Sequence, residues 1–216
     1  MKLIGMLDSP YVRRVAVSMQ LLGLRFEHES VSVFRGFAQF QRINPVVKAP
    51  TFICDDGTVL MDSTLILEYA EALARSFTKS RSLMPADTLR LQRELRLIGL
   101  ALAACEKSVQ IVYERHTRPP DKQHEPWVER VTGQMLAALG ALDTELTAHR
   151  LVATSASITQ AGVSAAVVWE FVRQVQPELA SPVAFPTLAA FAAQAEQLAE
   201  FKAAPHGDGT YCRTDA

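Results

Sequence analysis

A change of pattern near residue 80 constrains the fold more than any other feature of the chain. Before it, short apolar runs alternate with helical stretches: "KLIGML", a helix from about Pro10 to Leu22, "RFEHESV", a short helix through Phe40, "TFICDD", "VLMD", and a helix from about Ser63 to Arg75. The Asp56-Gly57 pair between two of these runs is a hairpin signal. The first two strands are separated by a helix and are expected to pair in parallel. The resulting order, βαβαββα, describes a small mixed sheet covered by helices. After "SFTKSRSLMPAD", polar and closed by a proline, the chain shows only the 3.6-residue apolar period of helices, as in "MLAALGALDTEL". Helices are expected over about 87–115, 125–149, 159–175 and 186–199. The expectation is an α/β domain over residues 1–78, a linker over 79–86 and an all-α domain over 87–216.

Charge and cysteine usage narrow the class of function. With 22 basic and 23 acidic residues the net charge is −1, so the overall balance points to neither nucleic acid nor an anionic membrane surface. No Gly-rich phosphate loop or basic-aromatic stripe is visible. The longest apolar run, "LIGLALAAC" at 97–105, is about half the length that a membrane span needs. In "MKLIGMLD", Asp8 arrives too early for a secretory apolar region. Cys54, Cys105 and Cys212 are odd in number and widely spaced, which suits a reducing compartment, and the cytoplasm is the expected location. The five histidines have no metal-ligand spacing with one another or with the cysteines, and no metal site is expected.

Three short motifs carry chemistry. In "SPYVRRV", Pro10 suits the first helical position and Ser9 the N-cap before it. Ser9 serves there as a cap alone, or the same place, with its unpaired N–H groups and positive dipole end, stabilises an anion or thiolate. In "NPVVKAPTF", Pro50 stands at the mouth of a buried strand, where a proline gives up a backbone donor. In "MDSTLILEYAE", Asp62 and Ser63 stand where a strand passes into a helix, placed for capping or for receiving a ligand's ammonium group.

The order and spacing of Ser9, Pro50 and Asp62-Ser63 resemble the amino-terminal, thioredoxin-like domain of cytosolic glutathione S-transferases. "FPTLAAFAAQAEQLAEFKAA" is similar to the last long helix and tail of bacterial members, so the likeness extends over essentially the whole chain. It implies that Pro50 is a cis-proline and that the backbone of Ala49 pairs with the cysteinyl part of glutathione, a case of recognition by strand addition. Asp62 and Ser63 would hold the γ-glutamyl end. Lys48 and Arg35 could reach the glycyl carboxylate, or be solvated surface charges. Ser9 would donate a hydrogen bond to the sulfur and favour the thiolate, with Tyr11 in reserve. Tyr113 and Trp169 could line a pocket for a small hydrophobic electrophile, or be core. The implied activity is a detoxifying glutathione transferase, cytoplasmic and homodimeric, with glutathione as co-substrate, no metal, and no nucleic-acid or membrane partner. The alternatives are a glutathione-dependent isomerase or dehalogenase, and a non-catalytic interaction protein with the same fold.

Two departures from the family pattern carry physical consequences. Most members have glutamate where this chain has Asp62, and the shorter acid must reach further or bind through water. The capping box of the buried sixth helix is broken in "TQAGVSA", where Gly162 replaces the acid. Loss of that cap costs about 0.5–2 kcal/mol, so another group caps the helix or the domain is labile. Arg13 and Arg14 read as members of structural or domain-bridging salt bridges, and Arg90, Arg93 and Arg96 as one solvated helical face that in the family lies near a dimer interface.

Overall fold

The computed structural model describes residues 1–77 and 81–211. Residues 79 and 80 of the expected linker, and Cys212, lie outside them. The chain divides into two compact units: Met1–Met84 together with the stretch from Gln197, and Pro85–Glu196.

In the first unit, β1 (Lys2–Ile4) leads to α1 (Pro10–Leu21), followed by β2 (Glu27–Glu29), α2 (Phe37–Ile43), β3 (Thr51–Ile53), β4 (Val59–Met61) and α3 (Ser63–Arg75). The sheet order is β2-β1-β3-β4, with β1 parallel to β2 and the other neighbours antiparallel. Because side chains alternate across a strand, Ile4 and Ile53 join Val31 and Phe40 beneath α2. Phe52, on the other face, sits 6.3 Å from the Tyr69 ring of α3. The apolar positions of α1, among them Val12, Val15, Ala16 and Met19, are wholly buried, which explains why a helix with little surface charge is stable here. From Gln197 the chain adds α8 (Ala199–Ala203), whose Phe201 is fully buried. Arg13 donates Nε–H to the Ala204 carbonyl at 2.8 Å, and its guanidinium lies 5.7 Å from the centre of the Phe201 ring.

The second unit contains α4 (Thr88–Thr117), α5 (Glu125–Ala148), α6 (Gln160–Val175) and α7 (Pro186–Ala195). Helix α4 packs against α5 and α6, and α7 against both α5 and α6. Residues 160–169 are all buried, so α6 is the centre of this unit. The arginine face of α4 that reads as solvated is partly tied down. Arg93 donates to the His149 carbonyl at 2.8 Å and Arg96 to the Glu145 carboxylate at 2.6 Å.

The broken capping box of α6 is repaired from two directions. Thr159 accepts the Gly162 amide at 3.4 Å, and Glu94 of α4 accepts the Ala161 amide at 3.2 Å. Gly162 has no room for an acid. A Cβ there would lie 2.9 Å from Ile158 and 3.1 Å from Phe191. Among the described residues no helix is long and apolar enough to cross a membrane.

Candidate active site

Register gathers the sequence motifs. Ile4 is paired with Thr51, and Thr51 with Met61. The chain leaving β1, the residues entering β3 and those leaving β4 therefore meet at one end of the sheet. That end carries Ser9, the Ala49-Pro50 pair and the Asp62-Ser63 pair.

Ser9 is the N-cap of α1, with Pro10 in the first turn. Its Oγ accepts the Val12 amide at a long 3.4 Å. Among the described residues nothing accepts the hydroxyl proton, so the donor half of this group is available to a ligand. Tyr11 follows one residue into the helix and is half-buried.

The Ala49–Pro50 peptide bond is cis. Among the described residues no hydrogen bond engages the amide or carbonyl of Ala49. The approach to this point is tight. Gly5 has a φ of 133°, and a Cβ in its place would lie 2.6 Å from Val12 and 3.2 Å from Ala49, which only glycine avoids. The loop before Pro50 is fixed by Asn44, which is buried. Its amide donates to Thr51 Oγ1 at 2.8 Å and its carbonyl oxygen accepts the Val46 amide at 3.0 Å. Thr51 in turn donates to the Lys48 carbonyl at 2.7 Å.

Asp62 caps α3 by accepting the Thr64 amide at 2.9 Å. Its other oxygen is 4.0 Å from Lys48 Nζ, both side chains about half exposed, so the ion pair is weak and easily exchanged. Two non-glycine residues adopt positive φ, Val47 at 52° and Asp62 at 70°. Such backbone costs about 1–3 kcal/mol per residue and concentrates where function requires it; both flank this end of the sheet. Ser63 is 3% exposed and accepts Arg14 Nη1 at 3.1 Å, leaving its own proton to donate. Arg14 also reaches Thr64 Oγ1 at 3.3 Å.

Arg35 is well exposed, with its guanidinium 3.9 Å from the Asp208 carboxylate. Tyr113, in the second unit, is 45% exposed and lines a surface groove of about 490 Å³ with Val109, Gln110, Glu114, Thr117 and Trp127. Trp169 is 3% exposed and meets Phe185 edge-on at 5.9 Å, so its indole is core and lines no open surface. Among the described residues no group of histidine, cysteine, aspartate or glutamate could hold a metal ion.

Sequence reasoning missed Arg14, Asn44 and Val47 as parts of this site. Asn44 had a signal, since Asn-Pro favours a turn. Arg14 had none, because its partner lies 49 positions away.

The family model of the glutathione S-transferase N-terminal domain matches residues 3–77. The GST-like protein YibF of Escherichia coli is 27% identical over 180 residues, spanning 82% of this chain and 85% of that protein. Glutathione transferase GST 23 of Zea mays is 31% identical over 86 residues, 40% of this chain and 37% of that one. A glutathione transferase family member of Pseudomonas fluorescens, solved with bound glutathione, superposes with a TM-score of 0.77 at 27% identity, covering 94% of this chain and 97% of that one. A glutathione S-transferase of Methylobacillus flagellatus, also with glutathione bound, shares the fold with a TM-score of 0.82 at 24% identity, over 94% of this chain and 98% of that one. The domain model bears on residues 3–77, while the curated relative and the solved structure extend the likeness over most of the length, so the chain is similar to glutathione S-transferases in its amino-terminal domain and in its fold.

Proposed function

We propose that the chain binds glutathione at the shared end of the sheet, stabilises its thiolate and transfers it to a small hydrophobic electrophile or a peroxide. The observation that carries this reading is the in-register row Ile4, Thr51 and Met61, which brings Ser9, Ala49-Pro50 and Asp62-Ser63 together. The unengaged Ala49 backbone pairs with the cysteinyl residue. Asp62 and Ser63 receive the γ-glutamyl ammonium and carboxylate respectively, with Arg14 orienting the Ser63 hydroxyl. Lys48 and Arg35 are the cations within reach of the glycyl carboxylate.

An unperturbed thiol titrates near about 8.5 and is mostly protonated at neutral pH. The Ser9 hydroxyl and the positive end of α1 lower that value, and the thiolate attacks carbon as the leaving group departs with the bonding electrons. Tyr11 is proposed to border the electrophile. The glutathione-bound state of the Pseudomonas fluorescens relative supports the ligand. Exposed Leu65, Leu89 and Leu95 support self-association as a homodimer, and the odd number and wide spacing of the cysteines support a cytoplasmic setting.

Titration calorimetry with glutathione, followed by conjugation to chlorodinitrobenzene, tests the proposal. Saturable binding with mole-for-mole loss of glutathione is expected. Absence of binding at millimolar glutathione defeats the reading. Turnover that regenerates glutathione replaces it with isomerase or dehalogenase chemistry.

A further inference from the structure

The stretch His206 to Tyr211 lies against the outer strand of the sheet in an arrangement that the transferase reading does not use. By alternation His28 points to the face opposite Glu27 and Glu29. Those two carboxylates flank Lys2 at 3.6 and 3.7 Å. The imidazole makes two hydrogen bonds to backbone. Nδ1 accepts the Tyr211 amide at 2.9 Å, which requires that nitrogen to be unprotonated. Nε2, 2.7 Å from the Gly5 carbonyl, therefore carries the proton and donates it. Around this bond the Phe26 and Tyr211 rings stack at 4.7 Å and 12°, and Ser30 donates to the Asp208 carbonyl at 2.7 Å.

We infer that residues 206–211 form a strap latched to β2 by neutral His28, and that protonation of this ring opens it. A second proton on the imidazole must sit on Nδ1, where it faces the Tyr211 N–H. An accepting contact becomes donor against donor, and the latch is lost. Burial holds His28 below the ordinary value of 6.5, opposed by the Gly5 carbonyl.

The charged groups on the surrounding elements are Lys2, Glu27 and Glu29 on the strands, Asp8 after β1, Arg35 before α2, and His206 and Asp208 in the strap itself. Lys2 meets the two glutamates, Arg35 meets Asp208, and Asp8 feels His206, Arg35 and Asp208. None of them bonds the His28 ring, whose two nitrogens are taken by Gly5 and Tyr211. The latched state is thus complete above pH 6.5 and is lost as pH falls through the depressed value of the latched ring. The inference does not rest on glutathione binding.

Hydrogen exchange of the full chain tests it, with the Tyr211 amide followed in steps from about pH 7.5 to about pH 5, across the ordinary imidazole range. After correction for the intrinsic rate, protection at Tyr211 is expected to fall at least about tenfold on acidification while α1 amides keep theirs. The fall should share its midpoint with the His28 ring titration followed by nuclear magnetic resonance. His28→Gln offers an amide oxygen and an NH₂ without a titrating proton, so it should protect Tyr211 equally at every step. Unchanged protection in the wild-type chain, a midpoint unrelated to His28, or an equal acid loss in H28Q would each overturn the inference.

Discussion

Ser9 has two tasks that separate on mutation. As a cap, its loss to alanine costs about 0.5–2 kcal/mol of stability. As the donor to a thiolate, its loss removes a charge-assisted hydrogen bond worth about 1.5–3 kcal/mol, or roughly 10–100-fold in turnover at neutral pH. Ser9→Ala should therefore lower kcat with chlorodinitrobenzene by that factor and change glutathione affinity less than about threefold. Equal turnover removes Ser9 from the chemistry. Asp62 permits a sharper test, because its φ of 70° favours glycine. Replacing an N-cap acid by glycine costs only a few tenths of a kcal/mol, whereas relieving the backbone returns about 1 kcal/mol or more. Asp62→Gly should thus raise the urea midpoint while weakening glutathione binding by about tenfold or more, the expected exchange where strain is kept for function. A less stable variant, or one that binds glutathione as before, would show that the acid is held for structure. At this scale Ser9, Pro50 and Asp62-Ser63 were legible, since each sits at a junction that proline or capping chemistry marks. Arg14, Asn44 and Val47 were not, because their roles depend on partners or torsions that local composition does not encode.

The helices of the second unit solve their termini in a way that local sequence conceals. Helices α5 and α7 have no side-chain cap at their own N-cap residues, His124 and Phe185. Glu114 of α4 accepts the His124 amide at 2.8 Å, and Asp143 of α5 accepts the Leu188 amide of α7 at 2.8 Å. With Glu94 serving α6, three helix starts are each met by an acid from a helix packed beside them. Strands, helices and the hairpin followed from periodicity and turn residues to within a few positions, except that the helix expected over 186–199 ends at Ala195 and α8 follows separately; these caps could not follow, since each joins residues 10 to 67 positions apart. Restoring the family's acid within α6 should therefore fail. Gly162→Asp drives a side chain against Ile158 and Phe191 and is expected to cost about 1–3 kcal/mol in urea unfolding. A stabilised variant would show that the site has slack.

Glu94 gives the complementary pH test. Burial, opposed by Thr159 and the Ala161 amide, holds its carboxyl above the ordinary value of 4.5. The folded chain then binds this proton more tightly than the unfolded chain. The contribution of Glu94 is fullest below pH 4.5 and declines as pH rises through the folded value. The stability of wild type relative to Glu94→Gln should fall over that window, and a flat difference would mean that the carboxyl is not desolvated.

At the scale of the molecule, connectivity contradicts the impression of one domain after another. The sequence groups everything from residue 87 onward as helical, yet the stretch from Gln197 belongs to the first unit. Five residues of α8 carry no signal of this allegiance. It is decided by the burial of Phe201 beside Arg13, by the bond from Arg13 to the Ala204 carbonyl and by that from Gln20 to the Glu200 carbonyl at 3.0 Å. All three converge on α1, the helix that Ser9 caps. Residues 199–204 thus support the proposed thiol site through α1. Phe201→Ala leaves a cavity that costs about 3–5 kcal/mol for a fully buried aromatic ring. Native-state hydrogen exchange should show that loss of protection in α1, β1 and β3 as well as α8, and calorimetry should show weaker glutathione binding with Ser9 untouched. If the loss stays within α8 and the affinity is unchanged, the stretch is an appendage, and α1 owes its position to the sheet and α3 alone.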